Sequence, residues 1–372
     1  MKNKMLTVMF ITYILVFAIG SVIIKDRDFS DMENRNLKQF PTVERETLLD
    51  GSYSEEFEEY MSDQIIFKDF LVKLKVTTNL AMNQTLVNDV YFAKDDMLIQ
   101  NYKNPYNQLT KNMQYVNEFA EANHDLECTW LIVPNACYVY ADRLDSYQST
   151  FSQKDVLGYI AGNVSDSINL VDCTSELINS KDDYIYYNTD HHWTMNGAYI
   201  GYLKVCEALD IIPTNKEEFD ISVGSNEFYG TLHSKAPTFT QKPDEIILYN
   251  NKKGEYKVEY LDEETSSESL YNMDNLCIKD KYTTYLDGNH SIIKITGNAV
   301  SGDNGKILIV KDSYAHCLIP FLADNYSELF VIDLRYYHDS VSKLAEEQGI
   351  DKVLFINNID FLSTDNNFLW LY

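Results

Sequence analysis

Two kinds of apolar spacing occur along this chain, and the change between them predicts where its main sheet begins. Residues 52–82 and 107–122 carry apolar side chains every three or four positions, which is typical of amphipathic helices. From Thr129 onward, short apolar runs alternate with helical patterns. The predicted strands are 129–133, 168–171, 184–187, 306–310, 329–332 and 352–356, and the predicted helices are 154–166, 194–209, 314–325 and 339–348. Such alternation predicts an α/β fold with a mostly parallel sheet covered by helices.

Outside this alternation, the pattern divides the chain into further segments. Residues 1–25 predict a transmembrane anchor or signal segment, and the polar, irregular residues 26–50 predict a tether. Residues 51–372 are then one large domain. Within it, residues 225–300 contain short alternating stretches separated by glycines and prolines, which predicts a β-rich insertion.

The first residues predict the location of the protein. Lys2 and Lys4 precede twenty uncharged residues, Met5 to Ile24, enough for a helix to cross a hydrocarbon core of ~30 Å. Lysines before such a span favour a cytoplasmic N-terminus and an exported remainder. A cleaved signal peptide is the alternative, with Ala18-Ile19-Gly20 as its cleavage site. The apolar run continues past that site, so we expect an uncleaved single-pass anchor in the cell membrane with an extracytoplasmic domain.

Composition narrows the range of partners and cofactors. The formal net charge of −26 argues against binding nucleic acid or other polyanions. The six cysteines form no CxxC motif and no zinc-type spacing with histidine. Export would permit disulfides, but the positions on apolar faces predict that most cysteines are small buried hydrophobic residues. No metal and no cofactor are therefore expected.

Two distant segments together carry the residue types of a serine nucleophile. Asp190, His191 and His192 follow one predicted strand, and Ser313 follows another some 120 residues later. A serine, an imidazole base and an orienting carboxylate are the parts of a catalytic triad, whose chain order is free to vary. Ligands of such sheets lie outside the carboxyl ends of the strands. The sequence alone leaves open whether His191 or His192 is the base.

Each segment also has a simpler interpretation. Asp312 or Ser313 would serve as an ordinary helix cap, and the Asp-His-His turn would cap the next helix at Thr194. A metal site is a further alternative, although adjacent histidines rarely point to one ion. Arg335, after a third strand, would bind substrate or an oxyanion, or else form a structural salt bridge with Asp333.

The motifs Asp190-His191-His192-Trp193, Lys311-Asp312-Ser313-Tyr314-Ala315 and Ile332-Asp333-Leu334-Arg335-Tyr336-Tyr337 together resemble those of the bacterial DHHW protein family. That family is similar to the SGNH-hydrolase-like domains of periplasmic alginate O-acetyltransferases. The resemblance extends from Phe29 to Phe355.

The resemblance implies a three-layer, flavodoxin-like parallel sheet in a rearranged chain order. It implies that Ser313 is the nucleophile, His192 the base and Asp190 the orienting acid, with Arg335 beside the site. Lys311 departs from the glycine usual before Asp-Ser in the acetyltransferases, which puts the shape of the oxyanion hole in question.

These observations predict a membrane-anchored carbohydrate O-acetyltransferase or O-acetylesterase of the cell envelope. We expect a glycan or exopolysaccharide substrate, a possible membrane-bound acyltransferase partner, and substrate contacts from Arg335, Trp193, Tyr314 and His191. The alternative is a non-catalytic glycan-binding or assembly protein of an envelope complex, which a long distance between Ser313 and His192 would favour. A lipase, peptidase or metal-dependent enzyme is a lesser alternative.

Overall fold

The structure is a computed structural model that describes residues 2–371. Met1 and Tyr372, the outermost residues of the predicted anchor and domain, lie outside the described residues. The chain divides into two compact units. The first runs to Asn88 and also contains His233–Gln241, and the second comprises Asp89–Leu232 and the chain from Lys242 onward.

Both units contain helices and strands. The helices are α1 (Lys2–Ile23), α2 (Arg45–Asp50), α3 (Ser52–Gln64), α4 (Lys68–Ala81), α5 (Tyr106–Ala122), α6 (Ala136–Val139), α7 (Gln153–Asn163), α8 (Thr174–Asn179), α9 (Met195–Leu209), α10 (Thr231–Lys235), α11 (Ile319–Leu322), α12 (Val341–Gln348) and α13 (Ile359–Thr364). The strands are β1 (Phe29–Ser30), β2 (Arg35–Asn36), β3 (Leu86–Val87), β4 (Val90–Phe92), β5 (Leu98–Gln100), β6 (Glu127–Val133), β7 (Ile168–Asp172), β8 (Phe219–Phe228), β9 (Asp244–Asn251), β10 (Tyr256–Tyr260), β11 (Thr265–Ser267), β12 (Ile292–Gly297), β13 (Lys306–Lys311), β14 (Glu328–Ile332) and β15 (Lys352–Asn358). Six short 3₁₀ turns, one of them Ser313–Cys317, complete the described elements.

In the first unit, α1 is apolar around its whole circumference. Within residues 2–371 it is the one helix long and apolar enough to cross a membrane, over Lys4–Ser21. Almost none of that stretch is buried by other residues. Its length and composition are those of a membrane anchor, and a signal sequence shares them.

Ion pairs order the segment that follows α1. β1 and β2 form a short antiparallel pair. Arg35 then donates two hydrogen bonds, of 2.8 and 2.5 Å, to the carboxylate of Asp63 on α3. The ammonium of the buried Lys68 lies 2.8 Å from the same carboxylate and 2.8 Å from Glu33. Part of the predicted tether, residues 26–50, is therefore fastened to α3 and α4.

The second unit contains an eight-stranded sheet with the order β11-β10-β12-β14-β13-β15-β6-β7. The five strands from β14 to β7 run parallel, and β12, β10 and β11 extend the sheet antiparallel. The central strands are buried on both faces, with Ile307 to Val310 at most 1% exposed. Burial on both faces explains why the sequences of these strands are continuous apolar runs. The mixed α/β fold with a large, mostly parallel sheet is thus as the sequence predicts.

The residues predicted as a β-rich insertion, 225–300, form two separate strand groups. β8 and β9 pair antiparallel, with irregularities at Ser225 and Phe228. β10 to β12 join the main sheet beside β14. Much of this segment therefore belongs to the same sheet as the parallel strands.

Three predicted elements differ from the structure. Residues 184–187 form no strand, because Tyr184 has a left-handed backbone (φ 52°) and only Tyr186 makes a β-bridge. The helix predicted at 314–325 is a 3₁₀ turn followed by the one-turn helix α11, which begins afresh with Pro320 in its first turn. The helical region 52–82 is broken between α3 and α4 by Phe67, whose backbone is also left-handed. Five of the six cysteines are buried, as predicted, and all six are free thiols.

Candidate active site

Parallel register brings several polar residues to one edge of the sheet. β13 pairs with β14 and β15, so Asp312 and Asp333, which follow β13 and β14, lie near Asn358, the last residue of β15. β6 lies next to β15, and Asn135 follows its carboxyl end. This edge is where ligands of open parallel sheets bind.

Asp312 acts as the cap of the turn that carries Ser313. Its carboxylate accepts a hydrogen bond of 2.8 Å from the Tyr314 amide. It also accepts bonds of 2.7 and 2.8 Å from the backbone and side chain of Asn358. The capping role therefore falls to Asp312, and the Ser313 hydroxyl is left for another partner.

A buried carboxylate holds the loop that carries Asp190 and His192 in place. Asp244, at the start of β9, accepts hydrogen bonds from the Asn188 amide (2.9 Å) and from the amide and hydroxyl of Thr189 (2.7 and 2.6 Å). Because several donors converge on one carboxylate, the loop conformation is strongly constrained.

Ser313, His192 and Asp190 form a continuous chain of hydrogen bonds. His192 Nε2 lies 2.7 Å from Ser313 Oγ, and His192 Nδ1 lies 2.6 Å from Asp190 Oδ1. An ionised carboxylate only accepts, so Nδ1 carries the proton and Nε2 accepts the serine hydroxyl proton. Asp190 and His192 are buried, while Ser313 is half-buried. The structure thus brings together the three residues predicted as catalytic.

Electrostatics keep Asp190 ionised. Burial opposes its charge, but both neighbouring histidines, the His192 hydrogen bond and the Thr231 amide together hold the pKa of Asp190 well below its usual range. Thr231 donates to the second oxygen, Oδ2, from its amide (2.6 Å) and hydroxyl (3.0 Å). Gly230 makes this approach possible, because a Cβ there would lie 2.2 Å from the Asp190 side chain.

Tyr282 supports the imidazole from the β-rich segment. Its ring is stacked on His192, with centroids 3.8 Å apart and planes 9° apart. Its hydroxyl donates to the Ser313 carbonyl at 2.8 Å. Tyr282 therefore contacts both the serine turn and the histidine, a role that the sequence pattern did not reveal.

Two of the predicted substrate contacts do not fit the structure. Trp193 and Tyr314 are completely buried, so neither ring is available to stack on a sugar. Trp193 Nε1 instead donates to the Tyr314 carbonyl at 2.8 Å, and the Tyr314 hydroxyl bonds to the His191 carbonyl. Both aromatic side chains position the loops of the site.

His191 has a hydrogen-bond partner outside the triad. Its Nδ1 lies 2.7 Å from the Thr231 hydroxyl, and its ring packs against His192 with centroids 3.8 Å apart. It also lines a small, mainly apolar cavity. The other residues of this cavity are Gln100, Tyr102, Asn135, Ala136, Cys137, Gln153, Leu232 and Asp360. The hydrogen bond with Ser313 is therefore made by His192.

Arg335 forms the salt bridge that was the alternative to a substrate contact. Its Nε and Nη2 donate to Asp333 at 2.9 and 2.5 Å, and about a quarter of its side chain stays exposed. The ammonium of Lys311, fully buried, donates to Asp333 and to His316 Nε2, both at 2.9 Å. The ammonium of Lys311 is therefore already paired with groups inside the protein.

A metal ion would share two residues, Asp190 and His192, with the triad. Asp190, His191 and His192 each offer a ligand atom, all within 4.8 Å of one another. However, His192 Nδ1 and Nε2 are both already engaged, with Asp190 and with Ser313. A metal on His192 would have to replace one of these hydrogen bonds, so the geometry fits the triad better.

The site residues that sequence reasoning missed come from distant parts of the chain. They are Asn135, Thr231, Asp244, Tyr282 and Asn358. None lies within a recognisable local motif. Gly230, directly before Thr231, is the kind of local signal that could have indicated a close backbone approach.

A protein-family model matches the part of the chain that contains the candidate triad. The family model described as "DHHW protein" matches residues 101–332, more than half of the chain. No curated protein sequence matches.

Solved structures share the fold at low identity. A DHHW family protein from Eubacterium siraeum has a TM-score of 0.65 at 23% identity, covering 76% of this chain and 95% of its own. Bacillus cereus PatB1 with a sulfonyl adduct has a TM-score of 0.64 at 20% identity, covering 76% and 98%. The O-acetyltransferase domain of Pseudomonas putida AlgJ is more distant, with a TM-score of 0.47 at 15% identity and coverage of 74% and 93%, too weak to carry an argument.

At these identities the likeness concerns the fold. The family match includes Asp190, His192 and Ser313. The chain belongs to the DHHW protein family.

Proposed function

We propose that this protein is a membrane-anchored serine O-acyltransferase or esterase acting on carbohydrate outside the cytoplasm. The observation that carries the proposal is the hydrogen-bonded chain from Ser313 through His192 to Asp190, with distances of 2.7 and 2.6 Å. We further propose that the sheet and its helices form the three-layer arrangement of SGNH-hydrolase-like domains.

In the first half of the reaction, Ser313 Oγ attacks the acyl carbonyl carbon while His192 Nε2 takes the serine proton. Asp190 holds the proton on Nδ1 and stabilises the imidazolium. The tetrahedral intermediate then collapses: the bond to the leaving group breaks, and His192 returns the proton to that group. An ester between Ser313 and the acyl group remains.

In the second half, a glycan hydroxyl or a water molecule is the nucleophile. His192 takes its proton, the oxygen attacks the ester carbonyl, and Ser313 leaves with that proton. The products are an acylated glycan or a free acid. The choice between them depends on whether the site excludes water until the acceptor arrives.

The oxyanion of both steps needs nearby N–H donors. The amide of Ser313 begins a turn, and within the part of the chain that the structure describes it donates to no protein acceptor. We propose this amide as one donor. Lys311 does not take this role, because its ammonium is paired with Asp333 and fully buried.

Two observations favour catalysis over a purely binding role. A long separation of Ser313 and His192 would have favoured the non-catalytic alternative, whereas the two side chains are in hydrogen-bond contact. PatB1, which shares the fold, is recorded with a sulfonyl adduct. Sulfonyl groups attach to activated nucleophiles, so the same chemistry is a direct test for this chain.

The experiment is covalent labelling of the purified full chain with phenylmethylsulfonyl fluoride. We expect one sulfonyl group on the peptide that contains Ser313, and loss of 4-nitrophenyl acetate hydrolysis in proportion to labelling. Ser313→Ala should not be labelled, whereas the exposed Ser146→Ala should label normally. Labelling elsewhere, with activity retained, would show that Ser313 is no nucleophile.

The carbohydrate class and the location rest on other grounds. The family resemblance supports a glycan acceptor and a possible membrane-bound acyl-supplying partner. The apolar helix α1 supports anchoring with the site outside the cytoplasm. Both remain separate from the chemistry of the triad and are tested separately below.

A further inference from the structure

The first unit carries a cluster of exposed apolar side chains on and beside α4. Phe70 and Leu74 lie four positions apart and so share one face of α4, and Phe67 is the residue directly before the helix. Phe67 is 66% exposed, Phe70 53% and Leu74 44%. The ring of Phe239 packs on Phe70 with centroids 5.6 Å apart and is itself half exposed. We name these four residues the Phe67 patch. Scattered exposed apolar residues are ordinary, but a contiguous patch indicates a binding surface.

The patch lies directly beside the predicted membrane anchor. The Ile66 amide donates to Ser21 Oγ of α1 at 3.3 Å. Gly20 permits this approach, because a Cβ there would lie 2.6 Å from Ile66 Cδ1. The rings of Phe67 and Phe17 meet edge to face with centroids 6.5 Å apart. The corner between α3 and α4 is therefore packed against the last turns of α1.

The contact with Phe17 indicates how deep Phe67 would lie in the membrane. Phe17 lies six residues before the end of α1 at Ile23, which corresponds to about 9 Å along a helix. If the uncharged stretch Met5–Ile24 fills the hydrocarbon core, then Phe67 is at the level of the lipid chains. Interfacial apolar side chains enter a bilayer by a similar ~5–10 Å.

The backbone at the corner is unusual. Phe67 has φ 60°, in the left-handed region that bulky residues rarely adopt. Its ring is nevertheless the most exposed of the patch. A strained conformation that presents an aromatic ring to the outside is better explained by a contact made there than by packing within the unit.

We infer that the Phe67 patch inserts into the lipid bilayer that α1 crosses, as a second attachment of the first unit to the membrane. The occupant is the acyl-chain region of the lipids at the end of α1. This inference rests on the proposed anchoring by α1 and is independent of the triad. The first unit would then be attached to the membrane both by α1 and by the Phe67 patch.

Lipid is favoured over a protein occupant by continuity. The patch adjoins the apolar surface of α1 through the contact of Phe67 with Phe17. The exposed residues of α1 on either side, including Ile14 and Ile19, would face the same lipids. A second copy of the chain or a membrane partner is distinguished by the experiment below.

The test measures the surroundings of single fluorescent labels on the full chain. Cys277 is the one exposed cysteine in the described range, so Cys277→Ser leaves a background of buried thiols. Phe67→Cys and Phe70→Cys in this background are labelled with bimane and reconstituted into phosphatidylcholine–phosphatidylglycerol vesicles. Leu15→Cys on α1 is the control for lipid, and the exposed Ile212→Cys is the control for water.

We expect nitroxide-labelled lipid to quench bimane at positions 67, 70 and 15 severalfold more than at 212, and aqueous iodide to do the reverse. Circular dichroism and 4-nitrophenyl acetate hydrolysis check that each variant is folded. Iodide quenching at 67 and 70 as strong as at 212, with 15 still in lipid, would overturn the inference and leave the anchor intact. Shielding of 67 and 70 from both quenchers would overturn it in favour of a protein occupant. Iodide access at 15 as well would overturn both the patch and the anchor, without touching the triad.

Discussion

Tyr282 lies flat against His192, with ring centroids 3.8 Å apart and an angle of 9° between the planes. The same tyrosine donates its hydroxyl to the carbonyl of Ser313. One side chain from the β-rich segment thus contacts both residues that would exchange a proton. An aromatic face also attracts the positively charged imidazolium that forms during the reaction.

Replacement of Tyr282 separates these two contacts. Tyr282→Phe keeps the stacked ring and loses the hydrogen bond to the Ser313 carbonyl, worth about 1 kcal/mol, and a weaker one from the Cys317 thiol, so kcat/KM for 4-nitrophenyl acetate should fall by about tenfold or less. Tyr282→Leu also removes the ring, and the misplaced imidazole should lower kcat/KM by about 10²-fold. Tyr260→Leu, which removes a ring that packs at a tilt against a different histidine, His290, is the control. Equal losses in the Phe and Leu variants would assign the effect to the hydroxyl alone.

Ser313 and His192 should act as one unit. Ser313→Ala and His192→Ala should each lower the hydrolysis rate by ~10³-fold or more, and the double variant should be little worse than either. His191→Ala should be far milder, because His191 bonds to Thr231 instead of Ser313. Steady-state kinetics with circular dichroism as a folding check measure this. A larger loss in His191→Ala than in His192→Ala would transfer the role of base.

Asp333 should contribute to acid stability. Burial opposes its ionisation, but Lys311 and Arg335 lower its pKa from 3.8 to about 2. A lowered carboxyl pKa stabilises the fold above the unfolded value, so this contribution should disappear as the pH falls from about 4 to about 2. Urea unfolding at several pH values measures the slope. An acid slope that is unchanged in Asp333→Asn would show that Asp333 is not its source.

The ion pair of Asp333 should respond unequally to the removal of its two partners. Asp333→Asn leaves the fully buried Lys311 without its carboxylate, and should cost about 3 kcal/mol or more of the free energy of unfolding at pH 7. Lys311→Met should cost less, because Asp333 keeps Arg335. Thermal or urea unfolding of both variants decides this, and the reverse order would contradict the buried arrangement.

Anchoring by α1 is tested by fractionation. The full chain should stay with membranes after washes with high salt and at alkaline pH, because an apolar span is not held by charge. N-terminal sequencing of the recovered protein is the companion measurement. A soluble product that begins near Ser21 would show cleavage of a signal peptide.

Transfer should compete with hydrolysis when a glycan is present. Oligosaccharide acceptors should divert acetyl groups from water to sugar, seen by mass spectrometry as a gain of one acetyl. If the exposed part of Arg335 contacts the acceptor, Arg335→Ala should impair transfer more than hydrolysis of 4-nitrophenyl acetate. Release of acetate from acetylated glycans, with no acetylated product under any acceptor, would leave an esterase.

The sequence by itself determined much of the framework, because its signals are local. Buried parallel strands such as β13 and β6 must be apolar on both faces, so their runs are visible without any neighbour. The uncharged span of α1 is likewise visible in the sequence without knowledge of its neighbours. The motifs around Asp190 and Ser313 were visible for a similar reason, since each is a run of a few consecutive residues; Ser313 also follows the recognisable strand β13.

Only the tertiary structure decided between the two histidines and between the roles of the aromatic residues. His191 and His192 are adjacent in sequence, and their partners, Thr231 and Ser313, come from segments about 40 and 121 residues away. Trp193 and Tyr314 are aromatic residues of the kind that bind sugars. Both are buried, however, and position the loops of the site instead. Tyr282 was hidden because stacking on His192 depends on long-range packing, which leaves no periodic mark on the chain.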